Sequence, residues 1–248
     1  MKFINNIAVA TKISKGVLDI ALDFVYPPRC ISCHELLAAF SQKFICSHCS
    51  DIFVPVPTGS ACTCGLPKNN CGTCGTHVFA QNTSAFFYHD LCKDIIYKFK
   101  YAKKPFMAKG MATLMATALD KSTFCDIDYI IPVPIHKNRL RSRGFNQAQL
   151  LAQHLSNIVG ISTCKNALQR AKDTKPLANF SPGIRENVLI NAFIANKKQI
   201  QNKRILLIDD IYTTGSTLNA CAKVLYENDA AIVKCATFAI VPTKNIFI

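Results

Sequence analysis

Residues 205–217 read Ile-Leu-Leu-Ile-Asp-Asp-Ile-Tyr-Thr-Thr-Gly-Ser-Thr, and this stretch decides the fold. The apolar run that follows Arg204 has the length and composition of a buried strand over 203–208. It closes on Asp209 and Asp210, after which Thr213, Thr214, Gly215, Ser216 and Thr217 lead into a helix expected at 216–227. Ligands of open α/β sheets bind beyond the carboxyl ends of the strands. A helix N-terminus there offers free N–H groups and a partial positive charge to an anion. Gly215 lets the backbone approach a phosphate, and the hydroxyls of Thr213, Thr214, Ser216 and Thr217 add donors without bulk. Carboxylates do not face a phosphate comfortably; they accept hydrogen bonds from ribose hydroxyls and help to hold a hydrated Mg²⁺. A diol on the acids and a phosphate on the loop together describe a ribose 5-phosphate. A buried strand with a Thr-rich helix cap is the plainer reading, but it leaves two consecutive acids followed by five small residues unexplained. No Gly-x4-Gly-Lys-Ser/Thr occurs, which excludes a P-loop.

Working outward, the pattern on either side alternates short apolar runs with helical periodicity, as β-α-β units do. Strands are expected at 83–88, 128–133, 191–195 and 231–240, and helices at 91–100, 106–119 and 144–158. The last of these helices places Phe145, Leu150, Leu151 and Leu155 inward. Residues 170–186, polar and broken by Pro176, Pro182 and Gly183, read as a loop. The strand before residue 134 runs through Pro132-Val-Pro134 into a basic loop carrying Lys137, Arg139, Arg141 and Arg143, four cations at a sheet edge. Arginine forks suit pyrophosphate oxygens, and the same cations suit a nucleic-acid backbone. Few aromatics are interleaved with them, whereas stacking platforms for single strands normally show such interleaving.

The thirteen residues of the opening stretch look like the phosphoribosyl-pyrophosphate loop of type I phosphoribosyltransferases. Together with Arg143-Gly-Phe-Asn-Gln147, they are similar to the ComF family of competence proteins, over nearly the whole chain. The resemblance implies an α/β type I phosphoribosyltransferase-like domain with a central, mostly parallel sheet behind a double zinc ribbon. By it, Asp209 and Asp210 contact the ribose hydroxyls, and Thr213, Thr214, Gly215, Ser216 and Thr217 the 5-phosphate of phosphoribosyl pyrophosphate, with Mg²⁺. Arg170, Thr174, Arg185 and Asn187 match a hood loop, where Leu177 replaces an expected Gln. Lys98, Lys100 and Tyr101 resemble a further basic element; on their own they read equally well as polar positions on a surface helix.

Eight of the thirteen cysteines fall between Cys30 and Cys74. Cys30-x2-Cys33 and Cys46-x2-Cys49 have the spacing of two knuckles that close four thiolates around Zn²⁺. Such a site folds a module with almost no core of its own. A second set, Cys62, Cys64, Cys71 and Cys74, has one shortened knuckle and is expected to hold a second zinc. His34 and His48 read as bystanders and His77 as a substitute ligand. Cys92, Cys125, Cys164, Cys221 and Cys235 read as core thiols.

The organisation expected is a leader helix at 1–25, a zinc-ribbon module at 26–80 and the phosphoribosyltransferase-like domain at 81–248. The charge is +14, and eight thiolates with two Zn²⁺ would lower it by about four. That balance favours phosphate-rich partners. No secretory signal stands out, and no run reaches the roughly 18 apolar residues of a membrane span. A cytoplasmic location follows, with the inner membrane face as the alternative. The resemblance implies natural transformation, with imported single-stranded DNA as partner. An active phosphoribosyltransferase with an unknown acceptor, and a zinc-held adaptor for a helicase or membrane uptake channel, stand beside it.

Overall fold

The computed structural model describes residues 27–38, 43–57, 62, 64, 77–173, 189 and 191–242. The leader helix, Cys71, Cys74, Thr174, Leu177, Arg185 and Asn187 lie outside the described residues. Four parallel strands form the central sheet, in the order β1-β6-β5-β2. They are β1 (Gln81–Phe87), β2 (Tyr129–Pro132), β5 (Arg204–Tyr212) and β6 (Ile232–Ile240). The short strands β3 (Leu168–Arg170) and β4 (Phe193–Ala195) form a separate antiparallel ribbon. The expected strand near 191–195 therefore exists but lies outside the main sheet.

Helices cover both faces of the sheet, as an all-parallel sheet requires. On one face lie α2 (Asp90–Tyr101), α3 (Met107–Ala118) and α5 (Gln147–Val159). On the other lies α7 (Ser216–Glu227), with the β3–β4 ribbon; the short helix α6 (Lys197–Ile200) precedes β5. Ile205, Leu206, Leu207 and Ile208 in the centre of β5 are fully buried, alternating between the two apolar layers. Leu151 and Leu155 of α5 are fully buried too, while Phe145 and Leu150 pack at the margin.

Two differences from the sequence expectation bear on the site. First, β5 does not stop at its apolar run. It stays paired with β6 through Asp209↔Thr237 and Tyr212↔Ile240, because the neighbouring strand supplies ladder partners that outweigh the polarity of two acids. Second, the basic loop is a helix, α4 (Lys137–Arg143). His136 caps its start by accepting from the Asn138 N–H, and Gly144, at φ 86°, ends it with its N–H on the Leu140 carbonyl.

The cysteine-rich segment is built into the same molecule. Cys30, Ile31, Ile45, Cys49 and Phe53 share an apolar core with Ile95, Phe99, Met107 and Met111. A Cβ at Gly110 of α3 would lie 2.8 Å from Phe44 Cβ and 2.9 Å from Ile31 Cγ2, so this glycine sets the close approach of module to domain. Residues 54–56 also pair with β1, the Val56 N–H donating to the Ala85 carbonyl and the Phe87 N–H to the Val54 carbonyl.

Candidate functional site

The C-terminal ends of β5 and β2 and the start of α7 form one polar edge. Asp209, Ile211, Tyr212, Thr213, Thr214, Gly215, Ser216, Thr217 and Leu218 line an open pocket there. Gly215, at φ +75°, is the N-cap of α7. An added Cβ would meet the Tyr212 Oη at 2.5 Å and its ring carbon Cζ at 2.8 Å. Both the left-handed backbone and the tyrosine beneath it demand glycine at this position. Thr214 Oγ1 and Ser216 Oγ lie 2.8 Å apart in one hydrogen bond, which orders two of the loop hydroxyls.

The strand period of two separates the acidic pair. Asp210 faces the α2 layer, where it is buried and Lys100 Nζ lies 2.9 Å from its Oδ1. Burial opposes the Lys100 charge, but Asp210 and then Asp209 outweigh it and hold the ammonium above its usual range. Asp209 faces the opposite layer and the pocket, in the field of Arg170 on β3. Burial first, and repulsion from Asp210 second, push its carboxyl up to about 7, against Lys100 and the Asp210 backbone N–H that it accepts at 2.8 Å. One acid is thus tied down inside the protein, and the other lines the pocket.

The helical form of α4 also divides the four expected cations. At 100° per residue, positions two apart point to opposite sides, whereas positions four apart share a face. Lys137 and Arg141 are exposed. Arg139 and Arg143 turn inward: the Arg143 guanidinium lies 5.3 Å from the Tyr101 ring centre, and its Nη1 donates to Gln147 Oε1 at 3.2 Å. Burial and then Arg143 lower the pKa of Arg139, and burial and then Arg139 lower that of Arg170. Arg139 thus feels the repulsion of Arg143, and Arg170 that of Arg139, a strain that an anion among them would relieve. Arg170, expected in a loop, stands on β3 with its guanidinium over the Phe193 ring.

The sequence reading missed several partners. Lys100, read from sequence either as part of a basic element of the family or as a polar position on a surface helix, meets an acid 110 positions away. Lys98, paired with Asp94 at 2.6 Å, also donates to the Ser32 carbonyl and so ties α2 to the cysteine segment. His77 Nε2 shares a hydrogen bond of 2.8 Å with Tyr212 Oη, while its ring stacks on Phe79. The exit of the cysteine-rich stretch therefore touches the tyrosine that lies beneath the Thr213–Thr217 loop.

Cys30, Cys33, Cys46 and Cys49 converge, with all four sulfurs within 4.8 Å of one another. The Cys33 and Cys46 sulfurs are 3.7 Å apart, against about 3.8 Å for the edge of a tetrahedron with Zn–S bonds of about 2.3 Å. The short helix α1 (Ser47–Ile52) begins here, with the Cys49 N–H donating to Cys46 Sγ. The donor set fits a structural zinc. His34 belongs elsewhere, its Nε2 lying 3.3 Å from Lys104 Nζ. Cys62 and Cys64 are buried with their sulfurs 3.1 Å apart. Of the scattered cysteines, Cys92, Cys221 and Cys235 are core thiols as expected. Cys125 is exposed because it sits in a turn, and Cys164 is half-buried at the margin of the core, its N–H donating to the Ile130 carbonyl.

Sequence comparison with known proteins places this architecture in a family. A phosphoribosyl transferase domain model matches residues 140–246. Competence protein F of Haemophilus influenzae is 30% identical over 207 residues, covering 79% of this chain and 90% of that protein. The DNA utilization protein YhgH of Salmonella typhi is 29% identical over 218 residues, covering 84% and 95%. Among solved structures, a purine phosphoribosyltransferase from Pyrococcus horikoshii aligns over 57% of this chain and 78% of its own, at 18% identity and a TM-score of 0.36. With its parallel sheet, its four-cysteine cluster and a relative matched over nine-tenths of its length, the chain belongs to the ComF family of competence proteins, built on a type I phosphoribosyltransferase-like fold.

Proposed function

We propose that this chain binds a ribose 5-phosphate ligand, phosphoribosyl pyrophosphate with Mg²⁺, and acts in natural transformation by handling incoming single-stranded DNA in the cytoplasm. The observation that carries the ligand reading is the pairing of pocket-facing Asp209 with the loop from Thr213 to Thr217, turned by Gly215 at φ +75°. In this reading the 5-phosphate takes hydrogen bonds from the α7 N-terminus and from Thr214, Ser216 and Thr217. Asp209 accepts from a ribose hydroxyl, which favours its ionised form. Lys100 holds Asp210 in place through their 2.9 Å ion pair, so that the strand end keeps its shape. Arg139 and Arg143 meet the pyrophosphate oxygens. The carboxylate oxygens at the strand end suit a hard divalent ion, and Mg²⁺ there would offset pyrophosphate charge. Zinc in the cluster of Cys30, Cys33, Cys46 and Cys49 holds the module against α2 and α3.

The names of the relatives, a competence protein and a DNA utilization protein, support the DNA part of the proposal, as does the +14 charge. Among the described residues, no helix is long and apolar enough to cross a membrane. The test is calorimetric titration of the full chain with phosphoribosyl pyrophosphate, with and without Mg²⁺, and then with single-stranded DNA at two salt concentrations. Saturable, Mg²⁺-dependent binding of the sugar phosphate and salt-sensitive retention of DNA are expected. A flat sugar-phosphate titration would remove the ligand assignment, and absence of DNA binding at low salt the strand assignment. Release of pyrophosphate without an added acceptor would identify a hydrolytic activity instead of simple binding.

A further inference from the structure

We infer that the outer face of α2 is a stacking surface for single-stranded DNA, placed against the sugar-phosphate site; the inference rests on the strand-handling reading above. Residues 97–106 read Tyr-Lys-Phe-Lys-Tyr-Ala-Lys-Lys-Pro-Phe, so aromatics and cations interleave here, outside the basic segment where their scarcity was noted. The inward stripe of α2 is complete without the tyrosines: Cys92, Ile95, Ile96 and Phe99 are all buried. Tyr97 and Tyr101, one helical turn apart, are instead 62% and 58% exposed. Their ring centres lie 5.1 Å apart at 46°. Lys93 stands one turn before Tyr97 and is exposed as well.

This stripe runs toward the pocket. Arg143 of α4 lays its guanidinium over the Tyr101 ring, and the next residue back, Lys100, holds Asp210. Lys103, just past the helix end, is exposed. The helix carries two acids, both in its first half: Asp94 is ion-paired with Lys98, and Asp90 stands in the first turn, away from the pocket end. Two large rings left in water beside Lys93, Lys103 and Arg143 need an occupant with flat apolar faces and negative charge. Nucleic-acid bases stack on tyrosine and on guanidinium planes with little regard to sequence, and the cations follow the phosphates. A duplex keeps its base faces stacked inside, so the chemistry selects a single strand.

The experiment is fluorescence anisotropy of a labelled 20-nucleotide oligo-dT with the full zinc-loaded chain at two salt concentrations. The variants are Tyr97→Ala, Tyr97→Phe and the Tyr97→Ala/Tyr101→Ala double. Each stacked base is worth about a fivefold to hundredfold change in affinity when its ring is removed. Tyr97→Ala is expected to weaken binding by at least about fivefold and the double variant by more, while Tyr97→Phe, which keeps the ring, retains wild-type affinity. Phosphoribosyl pyrophosphate binding by Tyr97→Ala should be unchanged, since Tyr97 does not line the pocket. Equal strand affinity of wild type and both alanine variants would overturn the inference while leaving strand handling intact. No strand binding by wild type would remove the reading beneath it as well. Dissociation of a wild-type dimer by Tyr97→Ala, with strand affinity unchanged, would assign this face to a second copy of the chain and overturn the inference too.

Discussion

The cysteine knuckles and the strand end of β5 each crowd together groups that become anionic, yet they relieve that crowding in different ways. In the knuckles, four sulfurs lie within 4.8 Å of one another, a donor set whose compensating charge a metal ion would supply. At the strand end, the chain supplies its own cations: Lys100 against Asp210, and Arg170 beside Asp209. The lesson is one of order of assembly. The first region would be completed by an ion, while the second stands built before any ligand arrives and carries a cost on Asp209, which in the proposed reading a ligand removes. That cost is the usual signature of a binding site, where local stability is given up for function.

The comparison breaks most visibly on metal removal. Structural zinc contributes about 10–16 kcal/mol in isolated finger peptides; here the apolar core shared with α2 and α3 retains part of the packing. Chelation, or Cys46→Ser, is expected to release the ion and to cost at least about 5 kcal/mol, or about 10–20 °C in Tm. Metal analysis and calorimetry check both halves, and unchanged stability after metal loss would show that the shared core alone carries the module.

The second test concerns the cost on Asp209. Its folded pKa of about 7 lies above the ordinary 3.8, so between these values the native state holds a proton that the unfolded chain has released. Stability is therefore expected to fall as pH rises from about 4 to about 7, by up to about 4 kcal/mol for a shift of this size, and then to level off. Asp209→Asn should flatten that slope and unfold at higher urea than wild type at pH 8. A wild-type profile that rises through this range would contradict the assignment.

Next in size is the pair beneath. Asp210→Ala leaves the Lys100 ammonium buried without its partner and should cost about 3 kcal/mol in urea unfolding. Lys100→Met added to it should recover most of the loss, which separates the ion pair from general packing. The smallest expected effect is at the loop itself. Gly215→Ala forces a side chain into the left-handed region and against Tyr212, at about 1–2 kcal/mol. Ligand affinity should fall with it, because the displaced loop carries Thr214 and Ser216.

The strand end was legible in the sequence because its pattern is local: an apolar run, two acids and five small residues fix a strand, a turn and a helix start by short-range chemistry. The knuckle spacing was legible for the same reason. What escaped was long-range or depended on period. Arg139 and Arg143 part from Lys137 and Arg141 only once the segment is seen as a helix, and a stop signal, Gly144, stood at its end. The alternation that sends Asp209 to the pocket and Asp210 to Lys100 needed the strand to extend to Tyr212, and that extension comes from pairing with β6. The contact of His77 with Tyr212 joins positions 135 apart and left no local mark. The alternation of Tyr97, Lys98, Lys100 and Tyr101 was in plain view, but whether its rings faced core or water turned on the burial of Phe99 between them.

The most direct test of the account is a calorimetric comparison of wild type and Asp209→Asn, titrated with phosphoribosyl pyrophosphate and Mg²⁺ at pH 8. The account predicts one saturable site in the wild type and at least about tenfold weaker binding in the variant, the loss of one hydrogen bond to a charged group, although the variant is the more stable protein. Equal affinity in the two proteins would contradict the claim that the end of β5 holds the ribose.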